Sequence, residues 1–513
     1  MPAYLSQFFT SSDYALVLPM LLLTLFGVGI LLIDLLLPRE WKIANAWTAI
    51  IGLVFSTLAV WKIQVAYTKA PAGPLQDLFG FGGSVIVDRF AIFFMYLFLV
   101  GAALSILMSI RYLEIENEHK GEYYALILFS VVGMMGMAIG YDLVVLFISL
   151  ELMAVSTYIL VGFLRGDQRS NEAALKYLLL GAFSSGIFAY GLSLLYGLSG
   201  STNLAEVSYA LANHALNPAS GPAVILALLT TATGLLFKIA AVPFHQWAPD
   251  AYEGAPTTIT GFMSVAVKAA AWALLLRIFL FALDPLRPLY VPLLVAVAIM
   301  TMTFGNLAAI TQTNLKRLLA YSSIAHVGYM LLGLVAGDAT RSSATGIKGI
   351  LIYLLVYTFM NLGAFAVITA LRRQDIIGDQ LEDINGLYFR APYAAVLMLV
   401  FLLSLAGIPP LAGFYGKYFI FLALIESGHY TLATLAVIYV AVSAYYYLRI
   451  ANAMLMREAA DPAPLRLAPG IGLTLAITGA ATVGIGIFPE FFIRAVDWSL
   501  RGGSGAALAG LLR

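Results

Sequence analysis

Residues 234–250 read GLLFKIAAVPFHQWAPD, with a lysine at 238 and a proline at 243 inside a stretch otherwise apolar enough for a lipid bilayer. A helix crossing lipid gains nothing from an ammonium group, and Pro243 removes a backbone donor and breaks the hydrogen-bond ladder. The stretch reads as an interrupted span with a charge held at the interruption. A second stretch repeats the pattern. SLAGIPPLAGFYGKYFIF, residues 404–421, sets Pro409, Pro410 and three glycines around Lys417.

Outward from these two stretches, the chain reads as an all-α polytopic membrane protein. Of its 513 residues 61% are hydrophobic and 11% charged, whereas a soluble domain carries about 25% charge. A span takes roughly 20 apolar residues. Fourteen runs qualify, at 14–37, 44–67, 90–110, 122–139, 143–163, 173–197, 222–243, 257–283, 290–311, 320–336, 347–371, 393–425, 430–456 and 469–489. The first lacks a basic leader and exceeds a signal-peptide core, so it reads as a retained span.

Taking spans four to eight and nine to thirteen as two halves, the interrupted helices fall fourth in each, as helices 7 and 12. Five is odd, so the halves insert in opposite directions. Inverted repeats with paired broken helices are the pattern of secondary transporters, whose ion sites lie at the breaks. The chain thus divides into a three-helix segment (1–120), a first repeat (121–283), a second (284–456) and a C-terminal helix and tail (457–513).

The loops on one side carry thirteen cations, including Lys42, Arg165, Lys316 and Arg317. The other side, with both termini, carries seven, including Arg89, Arg341, Arg501 and Arg513. The richer side is expected to be cytoplasmic, which leaves both termini outside. The remaining eight cations, Lys62, Lys176, Lys238, Lys268, Arg277, Lys348, Lys417 and Arg449, fall in or at the ends of spans. For Lys62, Arg277, Lys348 and Arg449, near span ends, snorkelling to the interface is the expectation.

Composition also excludes. A net charge of +1 gives no electrostatic reason to expect nucleic acid. The absence of cysteine removes disulfides, thiolate metal sites and iron–sulfur ligation from this chain. No phosphate-cradling glycine motif and no metal-spaced histidines occur.

Ionisable groups at membrane depth remain. Glu151, in LFISLELMAVSTY, lies eight residues into its span; Lys176 lies nearer the cytoplasmic end of the next, where snorkelling is an alternative. Lys238, Lys268 and Lys417 sit deeper. A lysine at the bilayer centre costs about 2.5–3.5 kcal/mol on insertion scales, so several together oppose insertion by roughly 10 kcal/mol. Packing alone favours leucine at each. Burial disfavours a lysine's charged form, which makes it a proton carrier. A carboxylate at about 4 Å is worth roughly 4 kcal/mol in an effective dielectric of 20, and moving one charge through 150 mV takes about 3.5 kcal/mol. An opening and closing Glu–Lys pair therefore has the right size to load a proton against a membrane potential. Glu151 with Lys176 is the expected pair, continued by Lys238, Lys268 and Lys417, with water held at Pro243, Pro409 and Pro410. His326, in AYSSIAHVGYM, is by itself either a packing residue or a relay. His245 is expected to anchor at the cytoplasmic boundary, and His119, His214 and His429 to lie in loops.

These motifs resemble the antiporter-like subunits of respiratory complex I. The similarity is dense from about 120 to 455, in RSNEAALKYLLLGAFSSGIFAYGLSLLYGLSG, FKIAAVPFHQWAPDAYEGAPT, GNLAAITQTNLKRLLAYSSIAHVGYMLLG, LLSLAGIPPLAGFYGKYFIF and AYYYLRI. PFHQWAPDAYEGAP is similar to the subunit N branch rather than the L, M or Mrp-type paralogues, and the wording is close to its cyanobacterial and chloroplast form. The resemblance implies fourteen helices, two inverted repeats and a proton route through Glu151, Lys176, Lys238, Lys268 and Lys417, and it favours a relay role for His326. It also implies partners: small membrane subunits, a subunit M type neighbour, and a redox arm holding flavin, iron–sulfur clusters and quinone, with no cofactor in this chain. The expected setting is a bacterial inner membrane, or a thylakoid membrane in a photosynthetic source. The alternatives are a subunit of a multisubunit cation/proton antiporter or membrane-bound hydrogenase, and a non-conducting membrane scaffold.

Overall fold

The computed structural model describes residues 13–69, 78–214, 221–336, 345–373, 377–459, 461 and 463–500. Both chain ends and the cations Arg341, Arg501 and Arg513 lie outside them, as do the side chains of Lys69 and His214. The order is α1 (Asp13–Asp34), α2 (Ala44–Lys69), a hairpin of β1 (Leu78–Gly80) and β2 (Val85–Val87), α3 (Arg89–Ile115), α4 (Gly121–Ile139), α5 (Leu143–Val161), α6 (Gln168–Ser199) and α7 (Leu204–His214). There follow α8 (Gly221–Lys238), α9 (Trp247–Gly254), α10 (Thr257–Phe262), α11 (Lys268–Arg277), α12 (Arg287–Thr311), α13 (Leu315–Ala336) and α14 (Thr345–Leu371). The chain closes with α15 (Leu387–Arg390), α16 (Pro392–Ala406), α17 (Ala412–Glu426), α18 (Tyr430–Met456), α19 (Pro469–Ile487) and α20 (Pro489–Leu500).

Helix dominates because lipid satisfies no backbone group and a helix satisfies its own. Thirteen stretches of helix among the described residues are long and apolar enough to cross a membrane. One of them, Thr257–Ala282, joins α10 and α11 through π turns at 263–267 and 278–282. The pieces α16 and α17, 15 residues each, make the fourteenth crossing. Aspartates start several spans: Asp88 accepts from Ala91 N at 2.8 Å, Asp142 from Val144 N at 2.8 Å and Asp167 from Arg169 N at 2.9 Å, each satisfying an otherwise orphaned N–H.

The same ordinal pairs pack closely in both halves, α4 on α5 and α12 on α13. Small residues permit it. A Cβ on Gly133 of α4 would stand 2.6 Å from Met153 N of α5, and one on Gly328 of α13 would stand 2.8 Å from Met302 N of α12. Backbones thus meet directly, as membrane helices do where glycine faces glycine-sized space.

The loops sort into the two expected sets. On the arginine-rich end Glu116 holds Arg372, Asp379 holds Arg169, and Asp461 holds Arg373. At the other end Tyr141 N reaches Ser84 O, and Lys348 pairs with Asp497 at 2.7 Å.

Several expectations are corrected. The seventh crossing does not end at 243: after an irregular turn it resumes as α9 and reaches Gly254. His245 therefore lies inside the crossing, its ring 4.6 Å from that of Phe304, and not at the boundary. Arg277 does not snorkel. It is fully buried and grips Asp88 with two contacts of 2.6 and 2.7 Å, its Nε donating to Ala138 O. Arg449 caps α12 through Ile310 O and Gln312 O, and Lys348, at the other end, pairs with the partly exposed Asp497 as a span-end cation. Lys316, expected among loop cations, is buried. The hairpin and the short helices α7 and α20 had no counterpart among the expected spans.

Candidate functional site

Both broken helices fail at their prolines, and each break is built around a lysine. Helix α8 ends at Lys238, and Ala240 takes a positive φ of 60°. The Phe237 carbonyl, without its i+4 partner, accepts from Ala240 N and from the Trp247 indole at 2.9 Å each, while Val242 N, just before Pro243, donates to Thr301 Oγ1 at 3.0 Å. At the second break Gly407 turns at φ 87°, Pro409 and Pro410 follow, and α17 restarts at Ala412. Here the lysine itself takes the freed carbonyls, Lys417 Nζ donating to Leu405 O and Ala406 O at 2.9 Å each. The expectation was water in that role. Four peptide groups are thus paired by three side chains from the same or a facing helix, which is what an apolar surrounding demands of an opened helix.

The four expected groups Lys238, Lys268, His326 and Lys417 are all buried, and a line of hydroxyls and rings joins them. Lys238 Nζ lies 3.3 Å from Tyr158 Oη. From Tyr158 the rings run to Tyr177 at 4.6 Å, Trp247 at 4.5 Å and Tyr252 at 6.3 Å. The Tyr252 ring faces Lys268 Nζ at 6.0 Å. Lys268, immediately after the π turn, donates to Ser323 Oγ on α13 and lies 3.4 Å from Ser323 O. One turn further along α13, His326 bonds Tyr353 through Nδ1 and Tyr447 through Nε2, the latter at 2.9 Å. Tyr329 then faces Lys417 Nζ at 5.5 Å.

Glu151 and Lys176 part company. Lys176 is 45% exposed and pairs with Glu172 at 2.7 Å and Asp250 at 3.1 Å, inside the ion network of the arginine-rich end. It does not pair with Glu151. Glu151 Oε1 is buried without a hydrogen-bond partner among the described residues. Glu151 and Tyr158 are seven residues apart on α5, hence on one face, and Tyr158 is the group that holds Lys238.

Sequence reasoning missed the tyrosines at 158, 252, 329, 353 and 447, Ser323, and Lys316. Lys316 Nζ donates to Ala255 O at 2.9 Å, at the base of a cleft of about 410 Å³ whose walls include Glu116, Asp167, Glu253 and Thr257. Thr257, Thr260, Ser264 and Lys268 follow at helical spacing from that cleft inward, all buried.

The family described as NADH:quinone oxidoreductase/Mrp antiporter, transmembrane, matches residues 140–443. NADH-quinone oxidoreductase subunit N 1 of Koribacter versatilis is 64% identical over 511 residues, 99% of each chain. Subunit N 2 of Solibacter usitatus is 56% identical, covering 96% of this chain and 99% of its own. Among solved structures, a chain of respiratory complex I from Thermus thermophilus matches with a TM-score of 0.76 at 33% identity, covering 93% of this chain and 99% of that one. A chain of the Mrp complex from a Dietzia species matches at 0.77 and 20% identity over 94% and 97%, a likeness of fold alone.

Proposed function

The chain belongs to the NADH:quinone oxidoreductase/Mrp antiporter transmembrane family, and on that premise we propose how it moves protons. It is a proton-translocating membrane-arm subunit of a complex I type NADH:quinone oxidoreductase, of the kind its full-length relatives are named for. Protons enter at the arginine-rich end, through the cleft above Lys316, and reach Lys268 along Thr257, Thr260 and Ser264. They pass Ser323, His326 and its two tyrosines to Lys417. Glu151 and Lys238 form the charge pair whose opening and closing sets when Lys268 releases its proton. Neither needs a redox centre. Flavin, iron–sulfur clusters and quinone belong to partner subunits, and the arginine-rich end faces the cytoplasm of a bacterial inner membrane, with residues 121–283 and 284–456 as the two repeats.

The observation that carries this reading is the succession of buried polar groups from Lys268 and Ser323 through His326 and its two tyrosines toward Lys417. Packing gains nothing from it, since each buried polar group costs free energy unless partnered. Water completes the gaps between hydroxyls. The test is Lys238→Met in the assembled complex, read as redox-driven proton uptake by sealed vesicles. A conduit loses uptake; a scaffold that only binds its neighbours keeps it.

A further inference from the structure

Away from the proton line, the arginine-rich end holds a second cavity of about 1150 Å³ between the ends of α2, α3 and α14 and the segment entering α19. Its walls carry four arginines, Arg111, Arg372, Arg373 and Arg466, and one carboxylate, Glu114, which Arg111 engages through Nη1 at 2.7 Å, leaving its other guanidinium donors to the groove. Arg372 engages Glu116 through Nε and Nη2, and Arg373 engages Asp461 through Nη1, so each keeps donors in hand, a guanidinium having five. Arg466 is exposed and has no ion pair among the described residues. Below the arginines the walls turn apolar, with Leu107, Ile471 and Leu473, and Trp47 stands exposed at the edge.

A basic rim over an apolar wall, at the depth where tryptophan sits between lipid and water, matches one kind of ligand. We infer that this groove binds an anionic diacyl phospholipid of the leaflet at the arginine-rich end, its phosphodiester against Arg111 and Arg466 and its chains along Leu107 and Leu473. Charge complementarity selects the anionic headgroup; the apolar continuation selects a lipid over a free phosphate. A bound lipid joins α3 to α19, and α19 covers the second break, since a Cβ on Gly486 would stand 2.0 Å from Pro410 O. The lipid thereby steadies the helix pair that presents Lys417.

The experiment uses the whole complex in nanodiscs doped with a phosphatidylglycerol carrying a photoreactive acyl chain, with cross-linked peptides identified by mass spectrometry. Labelling within residues 105–117 and 463–475 is expected, reduced by unlabelled phosphatidylglycerol but not by phosphatidylcholine or inorganic phosphate. The double variant Arg111→Gln/Arg466→Gln, both positions exposed and outside the proton line, should assemble and lose labelling at least about fivefold, the scale of a coupling free energy near 1 kcal/mol. Equal labelling by a photoreactive phosphatidylcholine, labelling unchanged in the double variant, or none at these segments in the intact complex would overturn the site while leaving the proton route untouched.

Discussion

Glu151 is the costly member of the line, because its buried Oε1 has no hydrogen bond among the described residues. It shares a face of α5 with Tyr158, which bonds Lys238, so neutralising it should be felt at Lys238. Glu151→Gln is expected to leave assembly intact and to cut redox-driven proton uptake by roughly 100-fold, the lower range for losing a proton-transfer group. Lys176→Gln should cost less than about threefold, because Lys176 is half-exposed and its contacts with Glu172 and Asp250 are of a kind worth about 0–1 kcal/mol. Reversed rankings in vesicles of the two variants would return the pair to Glu151 and Lys176. The lysines themselves were legible in the sequence, since an ammonium group in an apolar run is costly enough to need a reason. The tyrosines were not. Tyrosine is frequent in membrane helices as packing, and nothing in AYYYLRI tells that Tyr447 faces His326 while Tyr445 faces outward.

Elements that break were read from their prolines and glycines, and both breaks fall where expected. The length of the first was not, because PFHQWAPD carries too few apolar residues to look like a resumed span, although α9 completes it inside protein. Helix α17 depends on a close approach to α16: a Cβ on Gly413 would meet Ser404 O at 1.9 Å, and Gly413 N donates to Ser404 Oγ at 2.9 Å. Gly413→Ala must therefore push α17 away and carry Lys417 off Leu405 O and Ala406 O. Loss of the chain from the purified complex, or assembly with proton uptake abolished, is expected; normal uptake would show that Lys417 does not need those carbonyls. A second element-level contact was invisible because its partner lies 189 residues away. Arg277 looks like a span-end cation until Asp88 is beside it. With both groups at most 1% exposed, Asp88→Asn leaves a guanidinium buried and uncompensated, a change that costs about 3–5 kcal/mol. Thermal unfolding of the complex in detergent should detect it as early loss of this subunit, and an unchanged transition would mean that water reaches Arg277.

At the scale of the molecule, the all-α class with its many crossings was legible because apolar length is what insertion itself reads. The meeting of the halves was not. His326 of α13 lies one turn from Ser323, which Lys268 bonds, and beside Tyr329, whose ring faces Lys417, a juxtaposition that only packing creates. The same packing buries Lys316, which by position is a loop cation. Its neighbours are Asp379 from the loop after α14, Arg169 of α6, Glu253 of α9 and Asp167 before α6, and among the described residues its ammonium group donates to Ala255 O. If Lys316 only ties α13 to the end of α9, any donor of similar reach should serve. If it passes protons inward, the side chain must be able to release one. Lys316→Gln keeps a donor for Ala255 O without an ionisable proton, and Lys316→Arg keeps the charge but does not deprotonate in proteins. Both variants are expected to assemble and to lower proton uptake by about tenfold or more, with Lys316→His recovering part of it because imidazole titrates in the working range. Uptake at the parent rate in both, beside a Lys268→Met complex that has lost it, would make Lys316 a structural tie and send proton entry elsewhere. Uptake at the parent rate in all three would remove the relay through Lys268 as well.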